Sequence, residues 1–213
     1  MSAVASPGTC ALCGGEFAKN RIAKHVVACP RRKPGGGRWL HLSVQGGYAS
    51  QYWMHLEASP HATLQDLDFV LRRIWLECCG HMSEFEIEGR QYLFKTYERG
   101  QRTMKATLGE VLHPGLRFTH TYDFGTSTEL VLRVVAEREG GHRAGDVHLL
   151  ARNAAPPFAC GGCGSLATDV CAQCSEGGGG WLCKPCGRRH ECGDEMLLPV
   201  VNSPRVGQCG YTG

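Results

Sequence analysis

The 213-residue sequence predicts an α+β fold, a mostly antiparallel sheet packed on one long helix and flanked at both ends by small cysteine-rich modules. Three observations carry that expectation. Glycine- and proline-rich breaks at PRRKPGGGR (30–38) and RNAAPPF (152–158) part the chain into a head, a middle and a tail, residues 1–33, 34–152 and 153–213. The middle alternates short segments of period two with one segment of helical period. Seven of the thirteen cysteines crowd into residues 160–192, among glycines that can build no apolar core of their own.

Each element of the middle has its own signal. In WLHLSVQ, Leu40, Leu42 and Val44 alternate with His41, Ser43 and Gln45. QYWMHLE repeats the pattern with Tyr52, Met54 and Leu56, and Gly46-Gly47 between the two suggests a hairpin of half-buried strands. TLQDLDFVLRRIWLECCG then places Leu64, Leu67, Leu71, Ile74, Trp75 and Cys78 on one helical face, with Thr63 as N-cap, Asp66 three residues on and Gly80 as the stop. EFEIEGRQYLF is expected to turn at Glu88-Gly89, TLGEVL to form a short helical turn, and LRFTHTYDF to pair with STELVLRVVAE. The order β-β-α-β-β-β-β favours an antiparallel sheet on one helix.

Composition excludes several classes. No window approaches the about 18 apolar residues of a membrane span, and MSAVASPG lacks the charged and apolar regions of a secretory leader, so a cytoplasmic protein is expected. In a reducing compartment, closely spaced cysteines are metal ligands before they are disulfides. The formal net charge is +3; ten thiolates around three dications would take it to about −1, so the composition itself points to no nucleic acid.

The head gives Cys10, Cys13, His25 and Cys29 in the spacing C-x2-C-x11-H-x3-C. Two cysteines on a knuckle and two ligands one helical turn apart close a tetrahedral zinc site, because residues four apart on a helix share a face. Phe17 and Ile22 sit where such a unit needs its apolar core. The stretch resembles Cys-Cys-His-Cys zinc fingers. Arg21, Lys24, Arg31, Arg32 and Lys33 are the candidate nucleic-acid contacts, with Arg188 and Arg189 in the tail beside them. A single finger reads only about three base pairs, which favours a protein-docking role.

The tail parses as C-x2-C-x7-C-x2-C-x8-C-x2-C-x3-H-x-C. Eight ligands make two closed zinc sites. The simplest wiring is a cross-brace, with Cys160, Cys163, Cys183 and Cys186 on one ion and Cys171, Cys174, His190 and Cys192 on the other. Sequential pairing is the rival, and Cys209 is an alternative to Cys192 or His190. The module resembles B-box and MYND domains, and structural zinc worth roughly 10–16 kcal/mol per site would replace its missing core. Three structural Zn2+ ions are therefore expected. A catalytic zinc would need an open position, and redox use of the C-x2-C pairs would need a βαβ surround; neither is evident.

Four stretches in order, YWMHLEASPHATLQDLDFVLRRIWLECCGHMSEFEI, TYDFGTSTEL, the cysteine-rich tail and the ending MLLPVVNSPRVGQCGYTG, resemble the plasmid pRiA4b ORF-three-like family, whose members are sometimes labelled insertion-element passenger proteins. The resemblance covers roughly Trp39 to Ala151, and reaches nearly the whole chain for versions with flanking zinc segments. It implies an α+β fold and no established reaction. Its most recognisable motif is Tyr122-Asp123-Phe124-Gly125, which in the commoner pattern continues with Asp, Trp and His where this chain has Thr126, Thr128 and Leu130. The remaining polar candidates, His55, His81, His113, His120 and Asp123, fall on different elements, so no catalytic residue is assigned, and no nucleophile and arginine set for strand exchange is present. Cys78 is expected to pack as a small hydrophobe and Cys79 to point elsewhere; Trp39, Trp53, Trp75 and Trp181 read as core or interface. The expectation is a zinc-binding, non-enzymatic protein-interaction module, with nucleic-acid binding and metal-dependent hydrolysis as alternatives.

Overall fold

The structure, a computed structural model, describes residues 6–32, 35, 37–139, 147–175 and 177–213. The head supplies β1 (Gly8–Cys10), β2 (Glu16–Phe17) and α1 (Lys19–Ala28). The middle supplies β3 (Arg38–Gly46), β4 (Trp53–Ala58), α2 (Leu64–Leu71), a π-helical turn at Arg72–Leu76, β5 (Ser83–Ile87), β6 (Arg90–Leu93), β7 (Arg102–Thr103), α3 (Leu108–Val111), β8 (Arg117–Tyr122), β9 (Thr128–Glu139) and β10 (Val147–Asn153). The tail supplies β11 (Asp169–Cys171), α4 (Ala172–Ser175), β12 (Trp181–Leu182), α5 (Lys184–Gly187), a 3-10 turn at Asp194–Met196 and β13 (Leu197–Pro199).

Ten of these strands form one sheet in the order β2-β1-β10-β4-β3-β9-β8-β5-β6-β7, antiparallel except for the two-residue β6–β7 pair. The expected strand pairs are present in register: Leu42 faces Leu56, Phe118 faces Leu132, and Glu88 and Gly89 turn the β5–β6 hairpin with φ of 50° and 72°, both in the left-handed region that a two-residue hairpin turn requires. On one face of the sheet, Leu42, Met54, Leu56, Phe85, Leu130 and Leu132 pack against Leu64, Leu67, Leu71 and Trp75.

The mostly antiparallel sheet stands, but the single long helix does not. Its α-helical part is eight residues, opened by the expected capping box of Thr63 and Asp66, and it passes into the π-helical turn before ending at Leu76. The chain widens there to place Arg72 beneath the following loop. The Arg72 Nε donates to Asp68 Oδ2 (2.7 Å), its Nη1 to Glu77 (2.8 Å), and its Nη2 to the His81 carbonyl and Ser83 Oγ (2.8 Å each). Residues 77–82 are thereby tied down at several points, although they form no regular element.

Strands β3 and β4 are not half-buried either. Their second face, with Trp39, His41, Trp53, His55 and Glu57, is buried as well, because the head is joined to the sheet rather than hanging from a linker. β1 pairs with β10 from Gly8↔Asn153 to Cys10↔Ala151. Ile22 and Val26 of α1 pack on Trp53, Leu150 and Ala151. Arg32 pairs with the fully buried Glu57, which Arg138 also approaches at 3.4 Å. Arg152 and Asn153, expected in a linker, belong to β10, a strand the sequence reading did not include.

Candidate metal centres

Two of the cysteine knuckles are built alike. In Cys10–Gly15 the Cys10 amide donates to the Gly15 carbonyl (2.9 Å) and the Gly14 amide to the Cys10 carbonyl (2.8 Å); in Cys160–Ser165 the matching bonds are 2.7 and 2.8 Å. Gly14 and Gly164 take φ of +74° and +77°, a conformation only glycine adopts without steric cost. The tight turn carries both sulfurs of each pair to the same side.

In the head, α1 brings His25 and Cys29 to the Cys10–Cys13 knuckle. The Cys13 Sγ lies 3.3 Å from His25 Nε2 and the Cys10 Sγ lies 4.0 Å from Cys29 Sγ. Phe17 stacks on the His25 ring at 3.7 Å between centroids, fixing its plane. In the tail, Cys183 caps α5 and Cys186 lies within that helix, and together they meet the first knuckle, with Cys163 Sγ and Cys183 Sγ 3.5 Å apart. Cys171 ends β11 and Cys174 lies in α4; the Cys174 Sγ is 3.5 Å from His190 Nε2 and 3.8 Å from Cys192 Sγ. The twelve residues thus fall into three groups of four, each with its donor atoms within 4.8 Å of one another, and the tail is grouped in the cross-braced manner rather than sequentially.

The donor sets suit a thiophilic dication. Hydrogen bonding from the Cys183 backbone brings the Cys160 thiol down to about 6, whereas the neighbouring sulfurs of Cys183, Cys160 and Cys163 hold the proton of Cys186 and push it up to about 12. Four sulfurs this close cannot all ionise without a cation among them, and donor sets of four sulfur or nitrogen atoms suit a soft metal ion in tetrahedral coordination.

A fourth group was not foreseen. Cys78, Cys79, His81 and Cys209 also place their donor atoms within 4.8 Å of one another. Cys209 therefore lies with Cys78, Cys79 and His81 rather than with His190 or Cys192. Cys78 packs against the core as expected and Cys79 is exposed, but both sulfurs also belong to this group. Among the described residues there are four such clusters where three were expected, and together they take up all thirteen cysteines. Cysteine bookkeeping held the signal: three sets use ten cysteines and leave Cys78, Cys79 and Cys209, with His81 two residues from Cys79.

The other polar candidates are brought into separate structural pairs. His120 Nε2 meets Asp68 Oδ1 at 2.7 Å in the core, His55 Nδ1 meets His41 Nε2 at 3.0 Å, and His113 meets Glu88 at 3.2 Å on the surface. Burial and the nearby Arg138 depress His41 to about 3 and His55 to about 4, so one neutral ring donates to the other. Asp123 accepts from Arg205 Nη2 at 2.7 Å. Of the candidate nucleic-acid contacts, Arg21, Lys24 and Arg31 are exposed. Arg32 is committed to Glu57 and the Val26 carbonyl, and Lys33 lies outside the described residues. Trp39, Trp53 and Trp75 are buried, and Trp181 stacks on Phe158 at 3.7 Å.

Among solved structures the chain is similar to a crystal structure of a protein of unknown function, MM3350 from Methanosarcina mazei Go1, at 18% identity, covering 55% of this chain and 68% of that chain with a TM-score of 0.45. No curated protein matches. The family model described as Plasmid pRiA4b ORF-3-like protein matches residues 40–172, from β3 through the core sheet to the end of β11 in the tail. On that match, which spans more than half its length, the chain belongs to the plasmid pRiA4b ORF-3-like protein family.

Proposed function

We propose that the protein is a zinc-dependent, non-enzymatic interaction module of the cytoplasm, in which three structural zinc ions fold the head and tail and fix them for partner binding. One observation carries this reading: Cys10/Cys13/His25/Cys29, Cys160/Cys163/Cys183/Cys186 and Cys171/Cys174/His190/Cys192 each supply four nitrogen or sulfur donors, which fills tetrahedral coordination and leaves no position for substrate or water. The acid–base candidates are each paired within the protein, as expected of structural groups. The thiol-rich donor sets favour a reducing compartment, and no helix among the described residues is long and apolar enough to cross a membrane.

The test is cobalt substitution at these sites. Closed sites keep the absorption bands of four-coordinate thiolate cobalt unchanged when azide or cyanide is added, and chelation unfolds the head and tail without abolishing any turnover. A band shift on adding azide would reveal an exchangeable position and favour metal-dependent hydrolysis instead. Nucleic-acid binding has less support, because Arg32 is spent inside the fold; it requires an affinity that falls steeply with salt.

A further inference from the structure

We propose that Cys78, Cys79, His81 and Cys209 form a fourth zinc site, whose ion clips the C-terminal strap, residues 200–213, onto the core. The inference rests on the reading above that the chain's sulfur-rich clusters hold zinc, and it extends that reading to a site assembled from two ends of the chain.

The geometry is that of a metal tetrahedron. Zinc–sulfur bonds of about 2.3 Å put ligand sulfurs about 3.8 Å apart. The Cys78 and Cys79 sulfurs are 3.7 Å apart and those of Cys79 and Cys209 are 3.9 Å apart. His81 Nε2 lies 3.0 Å from the Cys79 sulfur and 3.2 Å from that of Cys209. Adjacent cysteines cannot reach one ion from a helix or a flat strand, where neighbours diverge. Here the chain has left the helix at Leu76, and Gly80 takes φ +79° between Cys79 and His81.

The surroundings support a negatively charged cluster. Arg205 is fully buried, and its Nη2 donates to Asp123 Oδ2 (2.7 Å) and to the Cys78 sulfur (3.5 Å). The Tyr122 hydroxyl is 3.8 Å from the same sulfur. Three thiolates and one dication leave a net negative charge, and a buried guanidinium beside it is the outer partner such a site calls for. Asp123 Oδ2 also sits 3.4 Å from His81 Nε2, at the edge of the cluster. Cys209 has φ 46°, a left-handed backbone that a non-glycine residue holds only when its surroundings fix it.

The strap itself bridges two parts of the molecule. Ser203 Oγ donates to the Trp75 carbonyl (2.6 Å), Thr128 Oγ1 to Gln208 Oε1 (2.9 Å), and Ser175 Oγ, in the tail, to the Gly207 carbonyl (3.2 Å). An ion at Cys209 therefore fixes the seat of the zinc module on the core. Each of the other three clusters includes at least one buried ligand, whereas this one has none, so its ion is the first to yield to a chelator.

Elemental analysis with native mass spectrometry, on wild type and on Cys209→Ser and Cys79→Ser variants, decides it. Four zinc ions per chain in wild type and three in each variant are expected. With a colorimetric chelator, wild type should release one ion in a fast phase that both variants lack, and trypsin should cut the variants' strap at Arg205 faster. Three ions in wild type and variants alike would overturn the fourth site while leaving the other three standing, and no zinc at all would overturn both readings. A disulfide among Cys78, Cys79 and Cys209, seen as a two-hydrogen mass deficit reversed by reductant, would likewise overturn it.

Discussion

The buried guanidinium of Arg205 holds the carboxylate of Asp123 at 2.7 Å, joining the C-terminal strap to the end of β8. Arg205 also donates to the Thr126 carbonyl and to Thr128 Oγ1, both at 3.0 Å, and lies over the Tyr122 ring. Burial alone would push the Asp123 carboxyl up, but Arg205 and the Gly125 and Thr126 amides outweigh it and hold it below the usual carboxylate range. Replacing Arg205 by Met strips Asp123 of its countercharge, and a broken buried pair costs about 3–5 kcal/mol. Urea unfolding should show a loss of that size, partly recovered by Asp123→Asn in the same chain. A loss under about 1 kcal/mol would mean that solvent enters and screens the pair.

A pH dependence follows from the two imidazoles on the other face of the sheet. His41 and His55 are depressed to about 3 and about 4, by burial first and by the charge of Arg138 next, whereas an unfolded histidine titrates near its ordinary value. The unfolded chain therefore binds protons that the folded chain refuses. Stability from this pair is fully present above about pH 6.5 and falls as pH drops towards the folded values, by about 1.4 kcal/mol per pH unit for each ring that titrates. Acid also strips metal from thiolates, so the informative quantity is the difference from a variant. His41→Gln should show a shallower decline in unfolding free energy between pH 6.5 and pH 5 than wild type; equal slopes would show that the pair does not stay neutral.

Six of the sheet's ten strands, β3–β6, β8 and β9, were legible from their own periodicity: Leu40, Leu42 and Val44, or Leu130, Leu132 and Val134, need no tertiary information to be placed on one face, whereas β1, β2, β7 and β10 show no such pattern. The head and tail clusters were legible for a related reason, since C-x2-C and H-x3-C spacings are set by local turns and one helical repeat. What the sequence hid was long-range. Glu57 and His55 read as the wet face of a strand, and only the docking of α1 buries them. The helix read as one run through Cys78, because the apolar pattern continues past Leu71, where the α-helix gives way to the π-helical turn, and past Leu76, where that turn ends. Cys209 is more than 120 residues from Cys78, and no spacing rule connects positions that meet only when the strap folds back.

The docked head makes a local lesion visible at a distance. Trp53 is 2% exposed and covered by Ile22 and Val26, with the Ala11 amide bonded to the Leu150 carbonyl (2.9 Å) along the same seam. Cys13→Ser removes one of the four donors of the head cluster, and under the proposed zinc-dependent reading a unit this small does not fold without its metal. The expected result is a red-shifted tryptophan emission with faster hydrogen exchange along β10, while the core retains its cooperative unfolding. Trp53→Phe in the same background should abolish the shift. An unshifted spectrum would mean that packing on the sheet, rather than metal, holds the head.

Arg72 sets the last prediction, because it supports the loop that carries three of the four residues in the unforeseen cluster. Its partner Asp68 is fully buried and also accepts from His120 and Ser83 at 2.7 Å each. Burial raises the Asp68 carboxyl, but His120 and Arg72 more than reverse the effect and keep it ionised. Arg72→Met leaves that carboxylate without its guanidinium partner and frees the His81 carbonyl and Glu77 from their tethers. Thermodynamic stability should fall by about 3–5 kcal/mol. At temperatures where the variant is still folded, the Cys78/Cys79/His81/Cys209 group should lose zinc affinity while the tail sites keep theirs. Asp68→Asn with Arg72→Met should restore part of the stability but not the affinity, since the loop stays untethered. Equal weakening of all the sites would instead trace the effect to global unfolding and separate Arg72 from the placement of His81.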